Sequence, residues 1–508
     1  MKSKESGTQW LLLTAVFVIA TCGLIYELVA GTLASYLLGD SVTQFSTIIG
    51  VYLFSMGIGS FLSSWFDKSL LSWFIRIELL VGLIGGFSAA VLFVCFPLAN
   101  GFRFILYGFV VITGIMVGLE IPLLMRILKD RVEFKDLVSR VFTFDYIGAL
   151  LASLIFPLLL VPHLGLIRTS LFFGMLNVAV GWYLAHYFRK EIRQSGGLQF
   201  AAAIILVVQL LAFVFSDSIM NYSETITYND RVVYAHSSPY QRLVITKNKR
   251  ELRLFLNGNL QFSSADEYRY HEALVHPAMS SVANPANILV LGGGDGLAVR
   301  EILKYPGVKK ITLVDLDPTM TKLFSSLEIL TQLNKRSLLD KKVTIHNEDA
   351  FIWLKNNRQL YDVVVVDFPD PSNFSIGKLY SKTFYSILKT VLAPDGIAVI
   401  QSTSPFVAPK SFWCIDTTIR DAGMLTKAYH NMVPSFGEWG YIMAMNSNTH
   451  QWFASMPANL RFLNNETMKQ MFVFPEDMKV KQSLHVNKLN NQALVGYFEE
   501  EWDRYLDL

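Results

Sequence analysis

Seven apolar stretches, at about residues 10–37, 45–66, 72–97, 103–125, 144–162, 166–188 and 199–216, dominate the first part of the chain, and after Ser216 they stop. Each is about as long as a helix crossing roughly 30 Å of hydrocarbon. In lipid only helices or closed barrels satisfy their own backbone, and runs of this length and continuity are helical. The chain has 508 residues, too many for one ordinary domain. It averages 52% hydrophobic and 17% charged, against about 25% charged in soluble chains, and most of the departure lies before residue 217. The fold class expected here is an N-terminal all-α transmembrane helical bundle of about seven spans over 1–217, followed by soluble folding units.

Gly57-Ile58-Gly59-Ser60 and Gly148-Ala149-Leu150-Leu151-Ala152-Ser153 supply small residues where helices must approach closely. Lys2, Lys4, Lys68, Arg126, Lys129, Arg131, Lys135, Arg140, Arg189, Lys190 and Arg193 lie at the N-terminus and in the second, fourth and sixth connections. By the positive-inside rule those segments are cytoplasmic. Glu27, Glu78 and Glu120 fall within or near the ends of apolar stretches, where a carboxylate is costly unless paired or wet. They either line a polar path for a cation, or pair with residues such as Arg76 or sit at helix ends. Cys22, Cys95 and Cys414 are too scattered for a disulfide framework or a zinc site. Cys22 reads as a packing residue, with lipidation as the alternative. A formal net charge of +3 without a long basic run gives no argument for nucleic acid.

Beyond Ser216 apolar runs shorten to strand length. Residues 218–280 read as a small antiparallel β region, in which Glu251-Leu252-Arg253-Leu254-Phe255-Leu256 leads into Asn257-Gly258, a tight hairpin turn. In 281–508 the runs Ile288–Leu291, Ile311–Val314, Val343–Ile345 and Val363–Val366 alternate with helix-length stretches, the rhythm of an α/β Rossmann-like, doubly wound sheet that binds ligands beyond its strand carboxyl ends.

The candidate ligand groups fall at those ends. Gly292-Gly293-Gly294-Asp295-Gly296 follows the first strand and precedes the run Leu297 to Lys304, expected to be an amphipathic helix. Asp315 ends the second strand, where an acid can accept both ribose hydroxyls of a nucleoside. Asp349, in Glu348-Asp349-Ala350, and Asp367, in Asp367-Phe368-Pro369-Asp370-Pro371, follow the third and fourth strands. Each acid alone could be a helix or turn cap.

With Ser238-Pro239-Tyr240-Gln241 and Tyr268-Arg269-Tyr270-His271-Glu272 upstream, these ordered motifs resemble the spermidine synthase family of polyamine aminopropyltransferases across about 225–445. The apolar half resembles the spans fused to this domain in some bacterial members. The resemblance implies an S-adenosylmethionine-methyltransferase-type fold over 281–508 and an enzyme that moves an aminopropyl group from decarboxylated S-adenosylmethionine, a co-substrate, to putrescine, giving spermidine and methylthioadenosine. It implies that Asp370 accepts the proton of the attacking amine. Gln241, Asp315, Asp349 and Ala350 would hold the nucleoside, Asp295 the donor's amine, and Tyr270, His271, Asp295 and Asp367 the polyamine. No bound cofactor or metal is implied, and a homodimer or higher homo-oligomer is.

The sequence departs from the family where Phe368 and Pro369 stand in place of frequent serines, and where Asp315 stands for a common Glu. His271 has a second reading as a core histidine, and Trp439 as a packing residue. A methyltransferase, or a transporter or sensor that binds polyamine without turnover, are the competing functions. The expected location is the cell membrane, multi-pass. Seven spans would carry the enzyme domain outside, whereas the donor is cytosolic, and the cytosolic face is preferred on substrate supply.

Overall fold

A computed structural model describes residues 2–38, 41–99, 101–129, 134–228, 230–447 and 456–506. Arg131, one of the loop cations, lies outside them. The chain divides into two compact units, Met1–Val232 and Val233–Leu508.

The first unit is helical: α1 (Lys2–Leu38), α2 (Ser41–Leu62), α3 (Leu70–Cys95), α4 (Phe102–Leu128), α5 (Phe134–Ile155), α6 (Val161–Tyr187), α7 (Ser195–Val214) and α8 (Ser216–Tyr228). Among the described residues six stretches are long and apolar enough to cross a membrane, where the sequence suggested about seven. The reason is local. The expected stretches 144–162 and 166–188 are two parts of one 53-residue run, Lys135–Tyr187. It passes through a π-helical turn, Phe156–Leu160, and through Gly165, whose φ of 70° and ψ of 177° are not helical. Small residues let α2 and α4 touch: a methyl group on Gly59 would collide with the Ile115 carbonyl, and one on Gly118 with that of Met56.

The polarity of this unit is inverted relative to a soluble bundle. Phe54, Phe61, Phe104, Leu158 and Phe200 are all at least two-thirds exposed. Glu78, Glu120, Asn177 and Gln209 are buried. Water would penalise such an apolar exterior, and a bilayer would not. The three acids within the apolar helices do not follow the pairing alternative. Arg76 donates to Gln194 at 2.8 Å and lies over the Trp73 ring. Glu78 instead accepts from Asn177 at 3.3 Å and lies in hydrogen-bond reach of Glu120. Nor are the acids at helix ends, since Glu27, Glu78 and Glu120 each lie at least two turns inside α1, α3 and α4. Cys22 is buried within α1 and faces the Phe173 carbonyl at 3.5 Å, a packing position.

The second unit begins with a four-stranded sheet in the order β1 (Arg231–Ser237), β2 (Arg242–Lys247), β3 (Leu252–Leu256), β4 (Asn259–Ser263). Asn257 and Gly258, with φ of 50° and 84°, close the β3–β4 hairpin, as that dipeptide requires. Helix α9 (Glu267–Met279) leads to a seven-stranded sheet of β5 (Asn287–Gly292), β6 (Lys310–Val314), β7 (Val343–His346), β8 (Tyr361–Asp367), β9 (Leu392–Gln401), β10 (Leu425–Val433) and β11 (Gly437–Met445). Its order is β10-β11-β9-β8-β5-β6-β7. Pairing is parallel from β9 to β7 and antiparallel at β11 and β10. Connections leave β5 in both directions, so a crevice opens at the carboxyl ends of β5 and β8, where Gly292 stands opposite Asp367. Helix α10 (Leu297–Ile302) corrects one expectation: it is buried on every face rather than amphipathic. Its Arg300 is neutralised by Glu267 and Glu301 instead of reaching water.

Candidate active site

Gly292 enters the turn with φ of 80°, and a methyl group there would strike the Asp367 carbonyl. The glycine thus lets β5 and β8 deliver their ends to one place. One residue on, Gly293 lies so close to Asp367 that an added methyl group would sit 3.1 Å from its Oδ2. Asp295 is buried, and its Oδ1 accepts the Leu297 N–H at 2.9 Å, leaving Oδ2 for a ligand.

Tyr270 Oη donates to Asp367 Oδ1 at 2.5 Å. His271, beside it on α9, is buried, and its Nδ1–H donates to the carbonyl and carboxylate of Glu267 at 2.8 and 2.9 Å. Glu267 also takes both terminal nitrogens of Arg300, at 2.9 and 2.8 Å. Burial opposes charge on His271, but the Glu267 hydrogen bond and charge, with Asp295 and Asp367 nearby, push it up to about 8. The imidazole is anchored through one nitrogen and lies within electrostatic reach of Asp295 and Asp367. Burial pushes Asp367 up to about 6, against the influence of His271 and Tyr270.

Asp370 sits at the far end of the same segment. Its Oδ1 accepts from Gln401 Nε2 at 2.8 Å and its Oδ2 from the Thr403 hydroxyl at 3.4 Å. Burial pushes its carboxyl up to about 7, with those two donors pulling the other way. A carboxylate near 7 is suited to take a proton at neutral pH. Phe368 turns away and packs against Phe384 and Tyr380, and Tyr380 Oη bonds the Pro369 carbonyl at 3.1 Å, so the Asp367–Asp370 span is clamped without serines. Thr403 brings the hydroxyl instead. It has φ of 57°, unusual for a β-branched residue and a mark of a constrained site.

At the end of β6, Asp315 Oδ2 accepts the Gly294 N–H at 3.0 Å and Oδ1 the Asp317 N–H at 2.9 Å. Burial pushes Asp315 up to about 6 against those two donors. Gln241 is drawn to Asp317, whose Oδ2 accepts from Gln241 Nε2 at 3.1 Å and from the Ser238 hydroxyl at 2.7 Å. Asp349 is the most committed of the acids. It caps α11 (Ala350–Asn356) through the Phe351 and Ile352 N–H groups and pairs with Lys378 at 2.7 Å. Burial would raise its carboxyl, but Lys378 and the cap hold it below the usual range. Ala350 is buried beside it. Trp439 lies in the core with Phe436, and among the described residues its buried indole N–H has no acceptor.

Gln401, Thr403, Tyr380, Asp317 and the Glu267–Arg300 pair were not singled out from sequence. Gln401-Ser402-Thr403-Ser404 carried a usable signal: polar residues at the end of Ile397–Ile400, a fifth buried strand. Asp317 lies two residues past Asp315, and Tyr380 and Arg300 are distant partners with no local pattern.

Residues 267–455 match the spermine/spermidine synthase domain. Over 500 residues the chain is 54% identical to polyamine aminopropyltransferase 2 of Ralstonia nicotianae, covering 97% of this chain and 98% of that one. It is 50% identical to the polyamine aminopropyltransferase of Leptospira interrogans, covering 98% and 100%. A solved spermidine synthase in complex with the transition-state analogue AdoDATO aligns at 26% identity and a TM-score of 0.46, over 48% of this chain and 86% of that one.

Proposed function

The chain belongs to the polyamine aminopropyltransferase family, and from that premise we propose that Asp370 is the base that takes the proton of the attacking amine, with putrescine as the acceptor. Decarboxylated S-adenosylmethionine is the co-substrate. The amine nitrogen attacks the carbon of the aminopropyl group bound to the sulfonium, and the carbon–sulfur bond breaks with its electron pair going to sulfur. Methylthioadenosine leaves neutral, the nitrogen gives its proton to Asp370, and spermidine results. The sulfonium already activates the carbon, so the residues need only hold a neutral amine in line and receive its proton.

The observation that carries this reading is the Asp370 setting: a buried carboxyl pushed to about 7 and oriented by Gln401 and Thr403. Asp367, held by Tyr270, and the nearby His271 would orient the distal part of the diamine. Asp295 would bind the donor's amine, and its negative charge would repel the carboxylate of undecarboxylated S-adenosylmethionine. Asp315, Gln241, Asp349 and Ala350 would line the nucleoside side, Asp349 in concert with Lys378.

In the same proposal residues 1–217 form a multi-pass bundle in the cell membrane, 218–280 the small sheet, and 281–508 the catalytic domain on the cytosolic face, where the donor is made. Six crossings return the chain to the side of its N-terminus. Two crossings divided at Gly165 would instead make seven. A periplasmic reporter fused after Leu508 should be inactive and a cytosolic one active, and the reverse result overturns this placement.

Mass spectrometry of products from the purified full chain tests the chemistry. Methylthioadenosine and spermidine should form from donor and putrescine, with kcat/KM rising as pH increases through about 7, where Asp370 loses its proton. Equal turnover by Asp370→Asn would sink the assignment.

A further inference from the structure

Between helices of the first unit lies a pocket of about 190 Å³, lined in part by Glu27, Glu120, Asp145, Tyr52, Met56 and Phe74 and open on the side of the exposed Leu53 and Tyr146. The acids come from three helices, α1, α4 and α5. Glu27 is 8% exposed, and among the described residues it has no hydrogen-bond or ion-pair partner. Glu120 is 2% exposed, with one carboxyl oxygen buried and unpartnered. Behind it Glu78 adds a further acid, also with an orphaned oxygen. Among the described residues no Lys or Arg lines the pocket, and Arg76 is engaged by Gln194. A membrane interior leaves such groups unsatisfied only where something else satisfies them.

We propose that this cavity is a second amine site, holding an aliphatic diamine or polyamine cation within the bundle, with Glu27, Glu120 and Asp145 as its counter-charges. The lining selects the class of cation. Most of the remaining wall is apolar, which suits a methylene chain and not a hydrated ion. Among the described residues no three His, Cys, Asp or Glu side chains converge as metal ligands, and hard metal ions need six or more oxygens close together. Separated acids on apolar walls fit a ligand whose charges are themselves separated by alkyl segments. The rings of Tyr52 and Phe74 offer additional faces to an ammonium group. The inference rests on the transferase reading only for the choice of amines over other organic cations.

The test is equilibrium binding of radiolabelled spermidine to the full chain in lipid nanodiscs, with Asp367→Asn and Asp370→Asn introduced together to remove binding at the catalytic acids. A class of sites should remain, displaced by unlabelled putrescine but not by sodium chloride of equal ionic strength. Adding Glu120→Gln should weaken it roughly tenfold or more, as loss of one partner of a buried charge pair does. Absence of binding to the double variant, displacement by salt alone, or indifference to Glu120→Gln overturns the proposal. Should Glu120→Gln fail to insert, a hydrophobic carbodiimide supplies the second measurement, its adducts mapped by mass spectrometry on the double variant. Spermidine at about four times its Kd should protect Glu27 and Glu120 roughly fivefold, and equal labelling with and without spermidine overturns the site. Methylthioadenosine formation by the unsubstituted chain is scored separately. Loss of the membrane site leaves that product in place, and failure of the transferase reading removes the product and leaves the binding.

Discussion

Buried acids are handled in opposite ways in the two units. In the catalytic unit the acids around the crevice are held by donors from their own chain, Glu267 by Arg300 and His271, Asp367 by Tyr270, Asp370 by Gln401 and Thr403, Asp315 by two backbone N–H groups, while Asp416 keeps one orphaned oxygen. In the helical unit Glu27 has no partner among the described residues, and Glu78 and Glu120 keep one orphaned oxygen each. A held acid is positioned before substrate arrives, and its orientation is part of the folded state. An unheld acid in an apolar bundle is a cost to the fold that a ligand can relieve.

Substitutions that neutralise one acid at a time sharpen this contrast. Asp370→Asn should lower kcat roughly 10²–10⁴-fold, the usual span for loss of a general base, while the thermal unfolding of the catalytic unit stays near that of the parent. Glu267→Gln should act on stability, because it takes a buried carboxylate from both Arg300 and His271 and leaves Arg300 with Glu301 alone. A loss of about 3–5 kcal/mol is expected in denaturant titrations, and a loss under about 1 kcal/mol would mean that the pair is not structural. The charge on His271 gives a pH dependence. Its pKa is near 8 in the fold and about 6.5 when unfolded, so its stabilisation is full below pH ~6.5 and disappears as pH rises through about 8. It amounts to on the order of 2 kcal/mol. Denaturation midpoints at pH 6 and 9 should differ accordingly, and the His271→Gln variant should lose that difference.

Tyr270→Phe takes from Asp367 its hydrogen bond and should raise the KM for putrescine about tenfold, within the range for a hydrogen bond to a charged group, with a smaller change in kcat. The smallest effect belongs to the helical unit. Glu27→Gln removes an acid that holds nothing, so unfolding in detergent should move by less than about 1 kcal/mol in either direction. A loss comparable to that of Glu267→Gln would break the comparison and assign Glu27 a structural partner.

Sequence and structure agree most closely where a signal is local. The runs Ile288–Leu291, Ile311–Val314 and Val363–Val366 lie in β5, β6 and β8, and Asn257-Gly258 is a hairpin turn. They were legible because a buried strand needs only its own apolar run, and a tight hairpin only residues that tolerate positive φ. The count of apolar stretches turns on Gly165, whose non-helical geometry lies within the 53-residue run. The burial of α10 was not legible, since Arg300 reads as a solvent-facing residue until Glu267 is brought to it from thirty-three positions away.

The acids that could do chemistry were set by the sequence itself: Asp295, Asp315, Asp367 and Asp370 follow glycines and strands in an order that only a doubly wound sheet places at one edge. Their settings were decided by the tertiary structure. Asp349 is committed to a helix cap and to Lys378, whereas Asp370 is lifted toward neutrality and aimed by Gln401 and Thr403. Proton affinity depends on burial and on donors within a few ångströms, and those neighbours come from parts of the chain that no local pattern connects.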